Sequence, residues 1–454
     1  MKKRMCKIMA LAMTAAMVVP MAAQTTAFAA DDKEITYWNI AVESPDKDIV
    51  TAAVDKFNKE TESGYTVNSV AIQNDTYKEK LVIAMSSGEC PDMYSSWSGG
   101  PMYEYIDSGF AQPIDDLLDQ SDIKDKLLDA AIEQGSYNGH VYAIPYLNVS
   151  LAGIFYNKDM FKQYGLEEPK TLADLENICA TLKENGITPF ALANGSKWTG
   201  SMYFMSLAAR YGGLEPFQNA VAGTGKFTDD CFIKAGEKIQ EWVNNGYFPD
   251  GVNSLSEDDG QAKQLMYQET AGMLLCGSWY TGTFQTDSEE FYQKIGWFPF
   301  PAIDDSDADP TIQIGTVGDQ FISFNCEGDK LAAAFECAAD HLSDEVEDMI
   351  YSTGKIAPVK DAGDHISDPV VKEIFDAAQE ASSIQLWYDQ YLPTSVASAH
   401  LDGLQEVFGL TKTPQEAQEE MQKAMDEYLS TKSDSGAADD TAEEATDAAA
   451  DDAE

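Results

Sequence analysis

Five tryptophans are the residues whose type and setting most readily suggest chemistry. Trp38, Trp97, Trp198, Trp279 and Trp387 all fall at or just after stretches that read as strand ends, or in polar loops, with Asn, Asp, Ser, Gly or Gln beside them. An indole packs on the apolar C–H face of a pyranose, while Asp, Asn and Gln match its hydroxyls as acceptors and donors. Any one of these rings could equally be a partly buried core residue. The recurrence of polar company around all five is what points to a sugar site. A micromolar ligand needs about 8 kcal/mol net, which a few stacked rings and a small set of charge-assisted hydrogen bonds can supply. Trp242, on a helical apolar face, and Trp297, inside a strand, are assigned to the core.

Catalytic signatures are broken or empty by comparison. Around Gly223-Thr224-Gly225-Lys226, Phe227 stands where a P-loop needs Ser or Thr, and Ala220 where it needs its leading Gly. No HExxH occurs, and Ser96 replaces the first Gly of a GxSxG around Ser98. Paired carboxylates could serve a glycosidase, but 77 acids make some pairing inevitable. The four histidines, His140, His341, His365 and His400, are too scattered for a metal site, and no cofactor is expected.

At 454 residues the chain exceeds what one hydrophobic core usually serves, and its hydrophobic fraction of 44% fits folded domains. Lys2, Lys3, Arg4 and Lys7 precede an apolar segment, Ile8 to Val19, and then Ala27-Phe28-Ala29, which has the form of a cleavage site. Residues 1–29 are therefore expected to be a cleaved signal peptide and the protein to be secreted or extracytoplasmic. The apolar run is short of the roughly 20 residues that span a bilayer. Cys6 precedes that run instead of following it, so no lipoprotein is expected. With the signal removed, the net charge of −47 becomes about −51, which makes nucleic acid and anionic membranes poor partners. Apart from Arg4 the only arginine is Arg210, so a neutral or cationic ligand suits the chain better than an anion needing Arg forks. The six remaining cysteines show no CxxC and irregular spacing, favouring buried free thiols over a disulfide framework.

The elements that must position the tryptophans are alternating. Glu34 to Ile40, Val67 to Ile72 and Pro91 to Trp97 read as strands. Between them lie a helix capped by Ser44-Pro45 and a helix opened by Asn74-Asp75, with Tyr77, Leu81 and Met85 on one face. This βαβαβ pattern implies parallel pairing with ligand chemistry at the strand carboxyl ends, which gathers Trp38, Asn74, Asp75 and Trp97. From Val141 to Phe161, two apolar runs meet around Tyr146-Leu147-Asn148-Val149-Ser150 without the residues of a tight hairpin. The reading is an extended crossing between two α/β lobes, the alternative being two strands of one sheet, with Asn148 offering a polar contact. Thr311 to Cys326 repeats the pattern around Gly315-Thr316-Val317-Gly318-Asp319 and reads as the return crossing. A second α/β set lies between them. Thr413-Pro414-Gln415-Glu416 opens a last helix, and an acidic tail from residue 431 is expected to be disordered.

Several phrases carry a resemblance: Pro91-Asp92 with Trp97 and Gly99-Gly100, then VYAIPYLN, IFYNKDMF, MLLCGSWY, GDQF, QLWYDQYLP and the TPQEAQEEMQ helix. In this order, over about residues 35 to 428, the chain resembles the type 1 extracellular solute-binding proteins, the sugar-binding components of ABC importers. The resemblance implies a two-lobed, periplasmic-binding-protein-like α/β fold with a ligand cleft and hinge closure. It places lobe 1 at 30–147 and 317–345, and lobe 2 at 148–316 and 346–430. It implies that Trp198, Trp279 and Trp387 stack on a neutral oligosaccharide, that Asp319, Asp389 and Gln390 bind hydroxyls, and that Asn74 and Trp97 contribute from lobe 1. It further implies a non-catalytic monomer that delivers its ligand to ABC transporter permease subunits. The missing lipid-attachment Cys departs from the tethered members. A secreted glycoside hydrolase and a binder of peptides or a cationic solute are the alternatives. Replacing Trp387 and Asp389 together by alanine is expected to abolish sugar binding with little change in the melting curve.

Overall fold

A computed structural model describes the backbone of residues 33–450, with side chains through residue 432. The expected signal segment lies outside the described residues. Two sheets organise the chain. In the first the strand order is Thr66–Ala71, Glu34–Asn39, Met93–Ser96, Phe321–Phe324, Ala143–Pro145. The first three are parallel, and Phe321–Phe324 runs antiparallel to both its neighbours.

Helix Asp46–Glu60 buries Ile49, Val50, Ala53, Val54 and Phe57, a helical spacing that lays one stripe on the sheet. It starts one residue later than Ser44-Pro45 suggested. Pro45 is the N-cap, and the acids Asp46 and Asp48 of the first turn favour the helix dipole. Helix Asn74–Ser87 buries Tyr77, Leu81, Ala84 and Met85 and stops at Gly88, whose left-handed φ of 75° suits a residue without Cβ.

The second sheet runs Ile384–Gln385, Gln313–Thr316, Ser150–Asn157, Ala271–Gly277, Thr188–Phe190, and Ile295–Phe298 also pairs with Ser150–Asn157. Ser150–Asn157 is buried along its whole length, as expected of a strand covered on both faces. Helix Trp198–Gly212 is buried from Thr199 to Arg210. Arg210 is itself structural: its guanidinium donates to the Phe300 and Ile312 carbonyls, between 2.7 and 3.2 Å. Trp242 and Trp297 are in the core. All six cysteines of the described residues are free thiols, five of them buried.

Ala143–Pro145 and Ser150–Asn157 thus belong to different sheets, and so do Gln313–Thr316 and Phe321–Phe324. The two connections are tied together, because the Asp319 N–H donates to the Asn148 carbonyl at 2.7 Å. A third connection joins them: Asn148 Oδ1 accepts from the Ile356 N–H at 2.8 Å, and the Val149 N–H donates to the Ile356 carbonyl at 2.7 Å. The departure to the second lobe, expected at residue 346, is later than that. Helix Asp344–Ser352, with buried Val346 and Ile350, packs on helix Asp46–Glu60, and Lys126 pairs with Glu347 at 3.0 Å. An isolated bridge from Leu127 to Val359 keeps the chain beside the helices of the first lobe to that point.

The Thr413 capping box forms as expected, with Glu416 accepting from the Thr413 N–H at 2.9 Å. Its helix, Pro414–Ala450, continues into the segment expected to be disordered. The side chains of that segment beyond residue 432 lie outside the described residues.

Candidate functional site

Where the two sheets face each other across the crossings there is a cavity of about 170 Å³. Its walls are built from both sides. The first-sheet side contributes Ile40 and Asp46, Asn74 and Lys78 from one helical face, and Trp97 just past the strand Met93–Ser96. The second contributes Trp198, Met202 and Met205 from one helix, with Asp258, Trp279, Trp387, Asp389 and Gln390 from loops and short turns. Asp319 and Gln320, on the return crossing, line it as well.

The three second-side indoles touch in series. Trp279 has its ring centroid 6.0 Å from that of Trp198 and 6.0 Å from that of Trp387, at interplanar angles of 57° and 68°. Trp279 follows the strand Ala271–Gly277 and folds back over Gly277, where an added Cβ would lie 2.0 Å from its Cζ3. Glycine is therefore required there by the approach of the ring. Gly99 and Gly100 do similar work between the lobes: a Cβ on them would lie 2.4 Å from the Gln390 carbonyl oxygen and 2.3 Å from that of Leu392.

Among the polar groups, Lys78 Nζ lies 3.5 Å from Asp389 Oδ2 and 4.9 Å from the Trp97 ring centroid, a cation–π distance. Asp258 accepts from the Asp75 N–H at 3.0 Å, at the start of the Asn74 helix. Burial pushes the Asp319 carboxyl up to about 7, Lys355 opposing and Asp46 adding to the shift. Burial also raises Glu257, behind the cavity, to about 7, against the Tyr280 hydroxyl that donates to it and against Lys263.

All eight expected site residues, Asn74, Trp97, Trp198, Trp279, Asp319, Trp387, Asp389 and Gln390, border this one cavity. Three others do not. Trp38 packs in the cluster of Tyr77, Leu81 and Tyr94, because its strand lies behind the Asn74 helix. Asp75 contributes its backbone to Asp258. Asn148, 1% exposed, spends its amide on the crossings, with Nδ2 3.4 Å from Ser278 Oγ. Asp92 is also structural, accepting from the Thr36 N–H at 2.8 Å and pairing with Lys330 at 2.8 Å. Trp387 is only 2% exposed, so the expectation of an unchanged melting curve for its alanine variant does not survive. Truncating a buried Trp costs about 3–5 kcal/mol of stability.

Lys78, Met202, Met205 and Gln320 were missed, though signals existed. Lys78 lies one turn from Asn74, the methionines lie on the face that begins at Trp198, and Gln320 adjoins Asp319. Asp46 lies beside the Ser44-Pro45 cap. Asp258 sits in an irregular acidic loop and gives no periodic signal. Among the described residues no cluster of His, Cys, Asp and Glu could hold a metal ion, and no helix is long and apolar enough to cross a membrane.

Residues 41–339 match the model of the bacterial extracellular solute-binding protein family. An uncharacterized ABC transporter extracellular-binding protein of Pyrococcus horikoshii is 32% identical over 228 residues, half of each chain. The matched stretch spans about half the length of the first curated relatives. A probable sugar-binding periplasmic protein of Mesorhizobium japonicum is 26% identical over 72% of this chain and 78% of its own. A structure from work on xylan utilisation by the thermophile Caldanaerobius polysaccharolyticus superposes with a TM-score of 0.79 at 29% identity, over 86% of this chain and 99% of that one. A chitin oligosaccharide binding protein shares the fold, with a TM-score of 0.79 at 24% identity over 87% and 98% of the two chains. With two α/β units around a cleft and a family match over most of its folded length, this chain belongs to the bacterial extracellular solute-binding proteins.

Proposed function

We propose that this protein captures a neutral oligosaccharide between its two lobes and delivers it to the permease subunits of an ABC transporter. The observation that carries this reading is the run of three touching indoles beside Asp319, Asp389 and Gln390 in one cleft. Stacked rings supply affinity without charge, and carboxylates and an amide supply orientation. The sugar-binding names of relatives, and structures of binders of chitin oligosaccharide and stachyose, support the ligand class. In this reading the lobes close about the three tied crossings. The protein acts outside the cytoplasm as a monomer, without catalysis and without nucleic acid.

A panel of xylo-, chito- and raffinose-type oligosaccharides, read by thermal shift, tests it. At a hundred times Kd a ligand stabilises by about 2.7 kcal/mol, or about 3 °C for a folded region of roughly 400 residues. A shift with the sugar recovered intact by chromatography supports capture. Shortened products identify a hydrolase, and no shift with any member refutes the sugar reading.

Gly277→Ala probes the indole run from behind. The new methyl must displace the Trp279 ring, so affinity for the sugar bound by wild type is expected to fall tenfold or more in calorimetry. An affinity within twofold of wild type would show that ring position does not matter.

A further inference from the structure

We infer that Lys78 is the specificity-determining residue that makes the cleft prefer a neutral sugar over one carrying a protonated amine. This rests on the sugar-binding reading above. The charged residues lining the cavity are Asp46, Asp258, Asp319, Asp389 and a single lysine, Lys78. Lys355 is 2% exposed and already paired with Asp46. Asp319, on the crossing, is under the influence of Lys355, so Asp258 and Asp389 share the one remaining ammonium, which comes from the opposite lobe.

Its placement is specific. The Asp389 side chain is 9% exposed, and Lys78 Nζ stands 3.5 Å from it, held on its other side by the Trp97 face. Asp258 is raised chiefly by burial; the Asp75 N–H and Lys78 oppose that shift. Lys78 thus occupies the seat beside the enclosed carboxylates that a ligand ammonium would otherwise take. With that seat filled, an incoming amine meets a like charge at short range, whereas hydroxyls can donate to the free carboxylate lone pairs. Without Lys78 the cleft holds uncompensated carboxylates and favours a cation.

The test compares wild type, Lys78→Met and Lys78→Arg. Melting curves of all three proteins serve as the folding control: Lys78→Arg keeps a charge beside Asp389, whereas Lys78→Met leaves that 9%-exposed carboxylate without one and is expected to melt somewhat lower while still folding. The probes are the panel sugar bound most tightly by wild type and its monoamino-deoxy derivative, one ammonium replacing one hydroxyl. By calorimetry, wild type is expected to bind the neutral sugar at least tenfold more tightly. Lys78→Met should shift that ratio at least thirtyfold toward the amine, and Lys78→Arg should keep the wild-type preference. An unchanged ratio in Lys78→Met, or a wild type that prefers the amine, overturns the inference and leaves the sugar reading standing. A wild type that binds no panel sugar removes the sugar reading itself.

Discussion

Trp279→Ala is expected to weaken sugar binding by two to three orders of magnitude while the protein stays folded. Trp279 is the middle indole, with a ring on either side at 6.0 Å. A sugar covering about 100 Å² of its face gains about 2.5 kcal/mol at 25 cal/mol per Å². The two indole contacts hold Trp198 and Trp387 in register, and losing them costs the ligand roughly another 0.5–1.5 kcal/mol in all. A combined loss of about 3–4 kcal/mol corresponds to a 100- to 1000-fold rise in Kd. Trp279 is only half-buried, so its loss costs the fold less than truncation of Trp387 would. That contrast makes it the cleaner probe. Calorimetry and thermal melting on the same preparation separate the two effects, and a Kd within threefold of wild type would exclude stacking on Trp279.

The fold was legible where one physical signal dominated. Helix Asn74–Ser87 and strand Ser150–Asn157 follow from apolar spacing and a terminating Gly or buried run, and the helix begins where Asn74-Asp75 indicated. The lobe boundary near residue 346 was not legible, because the decisive facts are tertiary. Val346 and Ile350 look like any amphipathic helix, and nothing local says which sheet receives them. The site divides in the same way. Rings beside polar residues in loops pointed to the cavity-lining tryptophans, since a large apolar ring in polar company lacks a core reason to be there. Asn148 looked identical in sequence, yet its amide is consumed by Ile356 and Ser278, residues 208 and 130 positions away. Lys78 was hidden for the converse reason. A lysine on a helix is normally a solvated group, and only the approach of the other lobe gives it Asp389 as a partner.

Asp319→Asn is expected to stabilise the protein at pH 7.5 and to leave it nearly unchanged near pH 3.5. In the folded state the Asp319 carboxyl is held up to about 7, chiefly by burial. It therefore keeps a proton that the unfolded chain has lost, and stability falls as pH rises from about 4 to 7, then levels. Glu257, also at about 7, acts in the same sense. Buried His341 and His400, pushed down to about 4 and about 3 by burial, oppose both. Their unfolded forms take up protons below about 6.5, so their contribution rises with pH up to that point. Each of these four shifts is worth up to about 1.4 kcal/mol per pH unit, and the variant removes one of the descending contributions. Among the described residues the Asp319 carboxylate accepts no hydrogen bond that Asn would break, so the variant escapes a cost of up to about 4 kcal/mol at neutral pH. For roughly 400 folded residues that is a rise in Tm of up to about 5 °C. Melting curves at the two pH values check it, and an equal shift at both would show that burial of the charge is not the cause. If the same variant also loses sugar affinity, stability and binding move in opposite directions. A carboxylate that the fold would be more stable without, bordering the cleft, is then retained for its ligand.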